Sequence, residues 1–136
     1  MSSIANMGIL IVESDPAMRA VLRDIVEQTG CVVREAKDLG VAVRKVHEVE
    51  PDLLIVSPYV DCMPGYDLAN FLRQDCPNMD ILMVSGFPAD DRIENRARNL
   101  GIKTFPPPYN AQLLLEQVKQ LLMARASRAS QYSKSV

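Results

Sequence analysis

Five short apolar runs recur along the chain, and segments with helical spacing separate them. The runs are GILIV (8–12), CVVREA (31–36), DLLIV (52–56), DILMV (80–84) and IKTF (102–105). Short apolar runs that are rich in branched residues and bounded by turn residues predict buried strands. The third run is the most apolar and predicts a central strand. Alternating strands and helices with short loops predict an α/β protein in which helices cover both faces of a parallel sheet.

The segments between the runs carry helix start signals. Asp15 and Asn110 precede helical stretches as N-caps, and Pro16 suits the first helical position. A further helix begins near Asp38 and ends before a proline. The segment 89–99 is polar almost all round and predicts a thinly attached fourth helix.

Two helices have apolar stripes that predict their buried faces. In a helix over residues 65–74, the spacing places Leu68, Phe71 and Leu72 inward. The stripe of the last helix is Leu113, Leu114, Val118, Leu121 and Leu122.

The chain after residue 124 shows no apolar period. The stretch RASRASQYSKSV (125–136) predicts a disordered polar tail, so we expect the folded domain over residues 8–124. The two Arg-Ala-Ser steps of this stretch are either phosphorylation sites or part of a solvated end. No second domain is predicted.

Length and composition narrow the function classes. The chain has 136 residues, of which 48% are hydrophobic and 24% charged, with a formal net charge of −2. These values predict one domain with a substantial core and no clustered basic face for nucleic acid. No apolar run approaches the roughly 20 residues of a membrane span, and the N-terminal stretch lacks the pattern of a secretory signal. We therefore expect a cytoplasmic protein, in which three widely spaced cysteines stay reduced.

Polar residues follow three of the predicted strands at their carboxyl ends. Glu13 and Ser14 come after the first strand, Ser57 after the third and Ser85 after the fourth. In open parallel sheets, ligands bind outside these ends, near the point where the strand order reverses. We therefore expect these side chains to form one polar cluster, which is the candidate site.

Four segments resemble the receiver domains of two-component response regulators. They are ILIVESDPAMRAVLRDIV, PDLLIVSPYVDCMPGYDL, ILMVSGF and GIKTFPPPY. The resemblance implies a flavodoxin-like (CheY-like), doubly wound sheet of five parallel strands in the order 2-1-3-4-5, with five helices. It also implies phosphoryl transfer from a histidine kinase to an aspartate after the third strand. In that family an acidic pair after the first strand holds Mg²⁺, a Ser or Thr follows the fourth strand, and a Lys follows the fifth.

Several positions of this chain depart from the family's pattern. Ser57 stands at the phospho-acceptor position, and the acidic pair is reduced to Glu13-Ser14. Pro107 stands where the Lys belongs. The two retained switch positions are Ser85 and Phe105. A serine hydroxyl needs a neighbouring base, and none is apparent, because the single histidine, His47, is predicted to lie on the polar side of the second helix.

These departures indicate a pseudo-receiver. Such a domain acts by protein–protein interaction in a two-component or phosphorelay pathway, without conventional aspartate phosphorylation, and is not an enzyme. We expect no cofactor and no bound metal, because the usual carboxylate site for Mg²⁺ falls to Glu13 alone. We expect signalling partners on the face of the fourth helix, fifth strand and fifth helix, no nucleic-acid or membrane partner, and leave a homodimer open.

Other interpretations stay open beside this one. A receiver could still be switched by phosphate or Mg²⁺ through a rearranged site of Glu13, Ser57 and Ser85. A nucleotide-binding enzyme would need a glycine-rich loop, which VESDPA lacks. Cys62 could act as a redox switch or pack under its loop, and Ser57 could simply end its strand by bonding to backbone. The peptide bond between Pro107 and Pro108 is the expected cis site.

Overall fold

The computed structural model describes residues 4–85, 90–106 and 110–135, with side chains through residue 129. Over these residues the helices are α1 (Pro16–Val26), α2 (Leu39–Glu48), α3 (Gly65–Arg73), α4 (Asp91–Asn99) and α5 (Ala111–Ser135). The strands are β1 (Gly8–Val12), β2 (Val32–Ala36), β3 (Leu53–Val56), β4 (Tyr59–Val60), β5 (Met63–Pro64), β6 (Asp80–Val84) and β7 (Lys103–Phe105).

Five of these strands form one parallel sheet in the order β2-β1-β3-β6-β7. Strands β4 and β5 form a separate antiparallel pair, so the predicted fourth and fifth strands are β6 and β7. The predicted doubly wound order 2-1-3-4-5 is therefore confirmed. The order reverses beside β1 and β3, and their carboxyl ends flank the crevice in which such folds bind ligands.

The sheet separates two apolar clusters, because successive side chains of a strand point to opposite faces. Leu54 and Val56 of β3 face α2, α3 and α4, whereas Leu53 and Ile55 face α1 and α5. All four residues are fully buried. This burial explains the continuous apolar run of β3 and holds its carboxyl end in the middle of the molecule.

Side-chain caps fix where three helices begin. Asp15, Asp38 and Asn110 each accept a hydrogen bond from a backbone N–H of the first turn, at 2.9 to 3.0 Å. Such bonds satisfy N–H groups that have no partner within the helix. The predicted starts of these helices are confirmed.

Two predictions of helix burial are wrong. Phe71 on α3 is 48% exposed and Leu113 on α5 is 54% exposed. Because successive residues turn a helix by about 100°, Phe71 lies beside the buried stripe of Leu68, Ala69 and Leu72 rather than within it. On α5 the buried side chain that the prediction missed is Leu115.

The last helix continues through the stretch that was predicted to be a disordered tail. Helix α5 runs on to Ser135 instead of ending near residue 124. Arg125 Nε lies 3.0 Å from Asp52 Oδ1, and Arg128 Nη2 lies 3.0 Å from Asp80 Oδ2. Alanine and arginine also favour the helical conformation. Although α5 has 25 residues, neither it nor any other helix of the described residues is apolar enough to cross a membrane.

Candidate functional site

Ser57 lies where the central strand β3 ends, on the carboxyl edge of the sheet. Its backbone N–H donates to the Val12 carbonyl oxygen of β1 at 3.3 Å, so the two strand ends stay joined. The side chain is buried and lies beside the Glu13 carboxylate, whose pKa its hydroxyl acts to lower. The structure thus brings together two of the four predicted cluster residues.

Glu13 is a buried carboxylate at the end of β1. Its Oε2 accepts a hydrogen bond from the Ser14 backbone N–H at 3.1 Å. Burial raises the pKa of the Glu13 carboxyl above its ordinary value of 4.5, and the hydrogen bonds from Ser57 and Ser14 only partly offset this rise. The expectation that Ser57 has no neighbouring base is therefore wrong. The adjacency of β1 and β3 in the expected strand order was the signal that could have found it.

Gly65 allows α3 to begin directly beneath Ser57. Its backbone N–H donates to the Pro58 carbonyl oxygen at 2.7 Å. A Cβ atom at this position would lie 1.9 Å from the Ser57 carbonyl oxygen, so only glycine fits here. The sequence pattern placed position 65 at the start of a helix and gave no signal of this close approach.

Ser14 connects the end of β1 to the loop after β3. Its hydroxyl oxygen accepts a hydrogen bond from the Asp61 backbone N–H at 3.2 Å. Asp61 has a φ of 54°, in the left-handed region that aspartate tolerates better than most residues. The Asp61 residue is exposed, and its place in the loop is fixed through its backbone.

Ser85 forms a second buried hydrogen bond, on the other side of β3. It follows β6, and its Oγ donates to Glu94 Oε1 at 2.5 Å. Glu94 lies on α4 and is only 7% exposed, although it belongs to the segment 89–99, whose residues are polar almost all round. The helical spacing held the signal, because position 94 falls next to Ile93 and three residues before Ala97, which are both buried.

Phe105, the second switch position, is described by the structure, whereas the expected lysine position is not. Phe105 ends β7 and packs, partly buried, against the apolar cluster that α1 and α5 cover. Its carbonyl oxygen accepts a hydrogen bond from the Ser85 backbone N–H at 2.9 Å. Pro107, which stands at the expected lysine position, and its bond to Pro108 lie outside the described residues.

Beyond these residues the chain has one histidine and three cysteines. His47 is exposed on α2, as predicted, with Nε2 3.1 Å from Asp75 Oδ2. All three thiols are free, and burial raises the pKa of the Cys76 thiol to about 11. Cys62 is exposed, so the expectation that it packs under its loop is wrong.

A sequence model of the response regulator receiver domain matches residues 9–119. The chain is a receiver domain. Curated relatives include the response regulator protein VraR of Staphylococcus saprophyticus and of Staphylococcus aureus, each 30% identical over 74 residues. That match covers 54% of this chain and 35% of each relative. The matched part of the chain therefore spans about a third of the length of these curated relatives.

Solved structures of receiver domains superpose closely on this receiver domain. The CheY-like receiver of Methanospirillum hungatei has a TM-score of 0.80 at 26% identity, covering 90% of this chain and 98% of that one. The signal receiver of an HD domain-containing protein from Pseudomonas fluorescens has a TM-score of 0.80 at 25% identity, with the same coverage. Receiver domains are modules of two-component signalling that interact with other signalling proteins, rather than enzymes.

The donors at the strand ends of this receiver domain suit Mg²⁺ poorly. Within the described ranges, no group of three or more His, Cys, Asp or Glu side chains could hold a metal ion. Next to Ser57 stands the Glu13 carboxylate, which already accepts a hydrogen bond from the Ser14 backbone N–H. Burial favours its neutral form, whereas Mg²⁺ needs charged oxygen ligands in near-octahedral geometry.

Proposed function

We propose that this domain is a pseudo-receiver that signals through protein contacts, in the cytoplasm, without conventional aspartate phosphorylation. The observation that carries the proposal is the residue at the end of β3. It is Ser57, a buried hydroxyl that lies beside the Glu13 carboxylate. At the position where the family places its nucleophilic carboxylate, this chain thus has a neutral group.

The pair of Ser57 and Glu13 is a weak replacement for an aspartate. A carboxylate is a nucleophile without help, whereas a serine hydroxyl must lose its proton to a base as it attacks. Glu13 adjoins the hydroxyl, yet a carboxylate is a far weaker base than an alkoxide. Phosphoryl transfer also concentrates negative charge, which cations normally neutralise. In the part of the structure that is described, no group of three or more acidic, His or Cys side chains could hold Mg²⁺. Arg19 donates to the Glu13 backbone carbonyl oxygen at 2.8 Å, and its charge is paired with Glu35.

The switch residue Ser85 is occupied as well. A hydroxyl has a single proton to donate, and that of Ser85 is donated to Glu94 in a buried hydrogen bond. It cannot donate to a phosphoryl group at Ser57 until this bond breaks. The arrangement therefore supports one fixed conformation of the switch.

Partner binding is proposed for the surface of α4, β7 and α5. Burial of Glu94 leaves the exposed charges of α4 dominated by arginines, since Arg92, Arg96 and Arg98 all face solvent. We propose that signalling proteins dock on this surface, and a homodimer through it is an outcome that the same binding experiments detect.

The alternative function is a receiver that is still switched by phosphate or Mg²⁺ through Glu13, Ser57 and Ser85. The observation in its favour is the Glu13 carboxylate beside Ser57, which offers the hydroxyl a base. This alternative function requires either a covalent phosphoryl adduct or a change of conformation on binding Mg²⁺, and the leading proposal requires neither.

Backbone amide NMR spectra, recorded with and without Mg²⁺ and beryllofluoride, distinguish the two functions. They are combined with an intact mass after treatment with a small phosphodonor. We expect no shifts at Ser57, Ser85 and Phe105 and no adduct of about 80 Da. A conventional receiver domain, treated in parallel, shows that the reagents are active. An adduct, or shifts confined to these residues, contradicts the pseudo-receiver proposal, and fragmentation then identifies the acceptor.

A further inference from the structure

A cavity of about 260 Å³ lies at the amino edge of the sheet, opposite the candidate site. It is enclosed by the end of α3, the starts of β6 and β7, and the last described turns of α5. Its polar lining consists of Arg73, Asp80, Lys103 and Arg128. Three of these four side chains are cations, although the chain as a whole carries a net charge of −2.

Arg73 has an unsatisfied edge. Its Nη1 donates to the Leu100 carbonyl oxygen at 2.8 Å. Its Nε and Nη2 are shielded from solvent and have no hydrogen-bond partner among the described residues. These two nitrogens lie along one edge of the guanidinium, which is the edge that grips a carboxylate or phosphate through two parallel bonds. Leaving buried donors of a charged group unpaired is costly, so the edge is suited to an anion.

The charges around this edge favour a doubly charged anion. Asp80, the one acid of the lining, lies 3.0 Å from Arg128 and 3.7 Å from Arg125, so its charge is already compensated. No ion pair within the described ranges involves Arg73 or Lys103. Two uncompensated cations therefore remain, which match the two negative charges of a phosphate monoester.

We propose that this cavity is a binding site for a small phosphate-bearing ligand. In the structure the Arg73 edge is shielded, so binding requires the guanidinium to turn toward the cavity, where Nε and Nη2 grip the phosphate and Lys103 supplies the second positive charge. Lys103 and Arg128 are exposed at the rim. Because the cavity lies at the amino ends of the strands, binding requires neither Ser57 nor Glu13 and does not depend on the function proposed for them.

The side-chain Nε–H signal of Arg73 in a proton–nitrogen correlation spectrum tests the proposal directly. The full chain is titrated at constant ionic strength with inorganic phosphate, glycerol phosphate and, as a dicarboxylate comparison, malonate. We expect a saturable shift of this signal and of the Gly101 and Lys103 amides. Both phosphates should act at lower concentration than malonate.

Two variants and one control sharpen the result. Arg73→Lys keeps the positive charge but removes the two-pronged edge, and we expect binding at least about tenfold weaker. Lys103→Gln changes an exposed side chain without disturbing the fold, and we expect up to about fivefold weaker binding. Lys37→Gln removes an exposed lysine outside the cavity and should bind as the native chain does.

Three outcomes overturn the proposal. They are no saturable shift up to about 10 mM phosphate, equal weakening in Lys37→Gln and Lys103→Gln, and malonate binding tighter than phosphate. Either of the first two outcomes would show that the cavity is not a phosphate-binding site. The third would show that the cavity binds carboxylates in preference to phosphates. None of them bears on Ser57, so failure here is distinct from failure of the pseudo-receiver proposal.

Discussion

Gly65 determines how closely α3 can approach the end of β3. A Cβ atom at position 65 would lie 1.9 Å from the Ser57 carbonyl oxygen, which is much closer than two non-bonded heavy atoms can approach. A side chain here must push α3 away from the sheet or displace Ser57. The glycine is thus part of the candidate site, although it has no functional group.

The substitution Gly65→Ala tests this role. We expect it to lower the free energy of unfolding by about 2 kcal/mol or more, as overpacking against a backbone atom does. Gly40→Ala is the matched control, because its Cβ would lie 3.6 Å from Asp38 Oδ1, an ordinary contact within a helix. The control should gain about 0.5–1 kcal/mol. Urea unfolding measures both, and a Gly65→Ala protein as stable as the native chain contradicts the structure.

Glu13 makes the stability of the domain depend on pH. Its folded-state pKa is raised above the ordinary 4.5, mainly by burial, so the folded state holds the proton more tightly than the unfolded chain does. The stabilising contribution of this group is fully present below about pH 4.5 and is lost as the pH rises through the folded-state pKa.

Glu13→Gln removes this titration and keeps a neutral group that can accept a hydrogen bond from Ser57. We therefore expect the stability of the variant, relative to the native chain, to increase as the pH rises from about 4 to 8. Urea unfolding at a series of pH values gives the difference. A difference that is flat, or that falls with pH, would show that Glu13 is not buried as the structure has it.

At the scale of elements, α5 differs most from what the sequence indicated. Its extension is held by Arg125, which bonds to Asp52 and to the Asn78 carbonyl oxygen. Asp52 is 73 residues away along the chain, so no local pattern could reveal the contact. Composition alone suggested a solvated tail, because its residues are polar and lack a repeating apolar position.

Arg125→Ala should weaken the attachment of this extension. We expect a loss of about 1–3 kcal/mol, because the partly buried Asp52 carboxylate loses a charged partner. Arg92→Ala, at a side chain that is 93% exposed, is the control and should change stability by no more than about 0.5 kcal/mol. Hydrogen exchange of the amides from residue 119 to 129 locates the effect. Equal protection in both variants would contradict a role for Arg125.

At the scale of the whole molecule, the fold could be predicted for two reasons. Each strand of the sheet is an apolar run, and a helix with its own start signal lies between one strand and the next. The places of Ser57 and Ser85 followed directly, since each comes after a strand. Glu13 was expected in the same cluster as Ser57, because β1 and β3 are adjacent. The partner of Ser85 did not follow, because Glu94 reaches it only once α4 has packed against the sheet. From the sequence alone, a polar residue such as Glu94 is predicted to be exposed, because the face of α4 that contacts the sheet is known only once the helix has packed.

The response of the whole domain to Mg²⁺ follows from its donor set. A site with a Kd of about 0.1 mM would stabilise the fold by about 2.7 kcal/mol at 10 mM Mg²⁺ and raise Tm by several degrees. We expect a change below about 1 °C, measured by thermal unfolding against a sodium chloride control of equal ionic strength. A rise of several degrees would count strongly for the rearranged, metal-responsive site.

The two arginines of α5 also join that helix mechanically to the strands of the candidate site. Arg125 bonds to Asp52, directly before β3, and Arg128 bonds to Asp80, the first residue of β6. These are the two strands whose opposite ends carry Ser57 and Ser85. A force applied to the far end of α5 would therefore load the amino ends of both central strands, along the direction in which a parallel sheet shears.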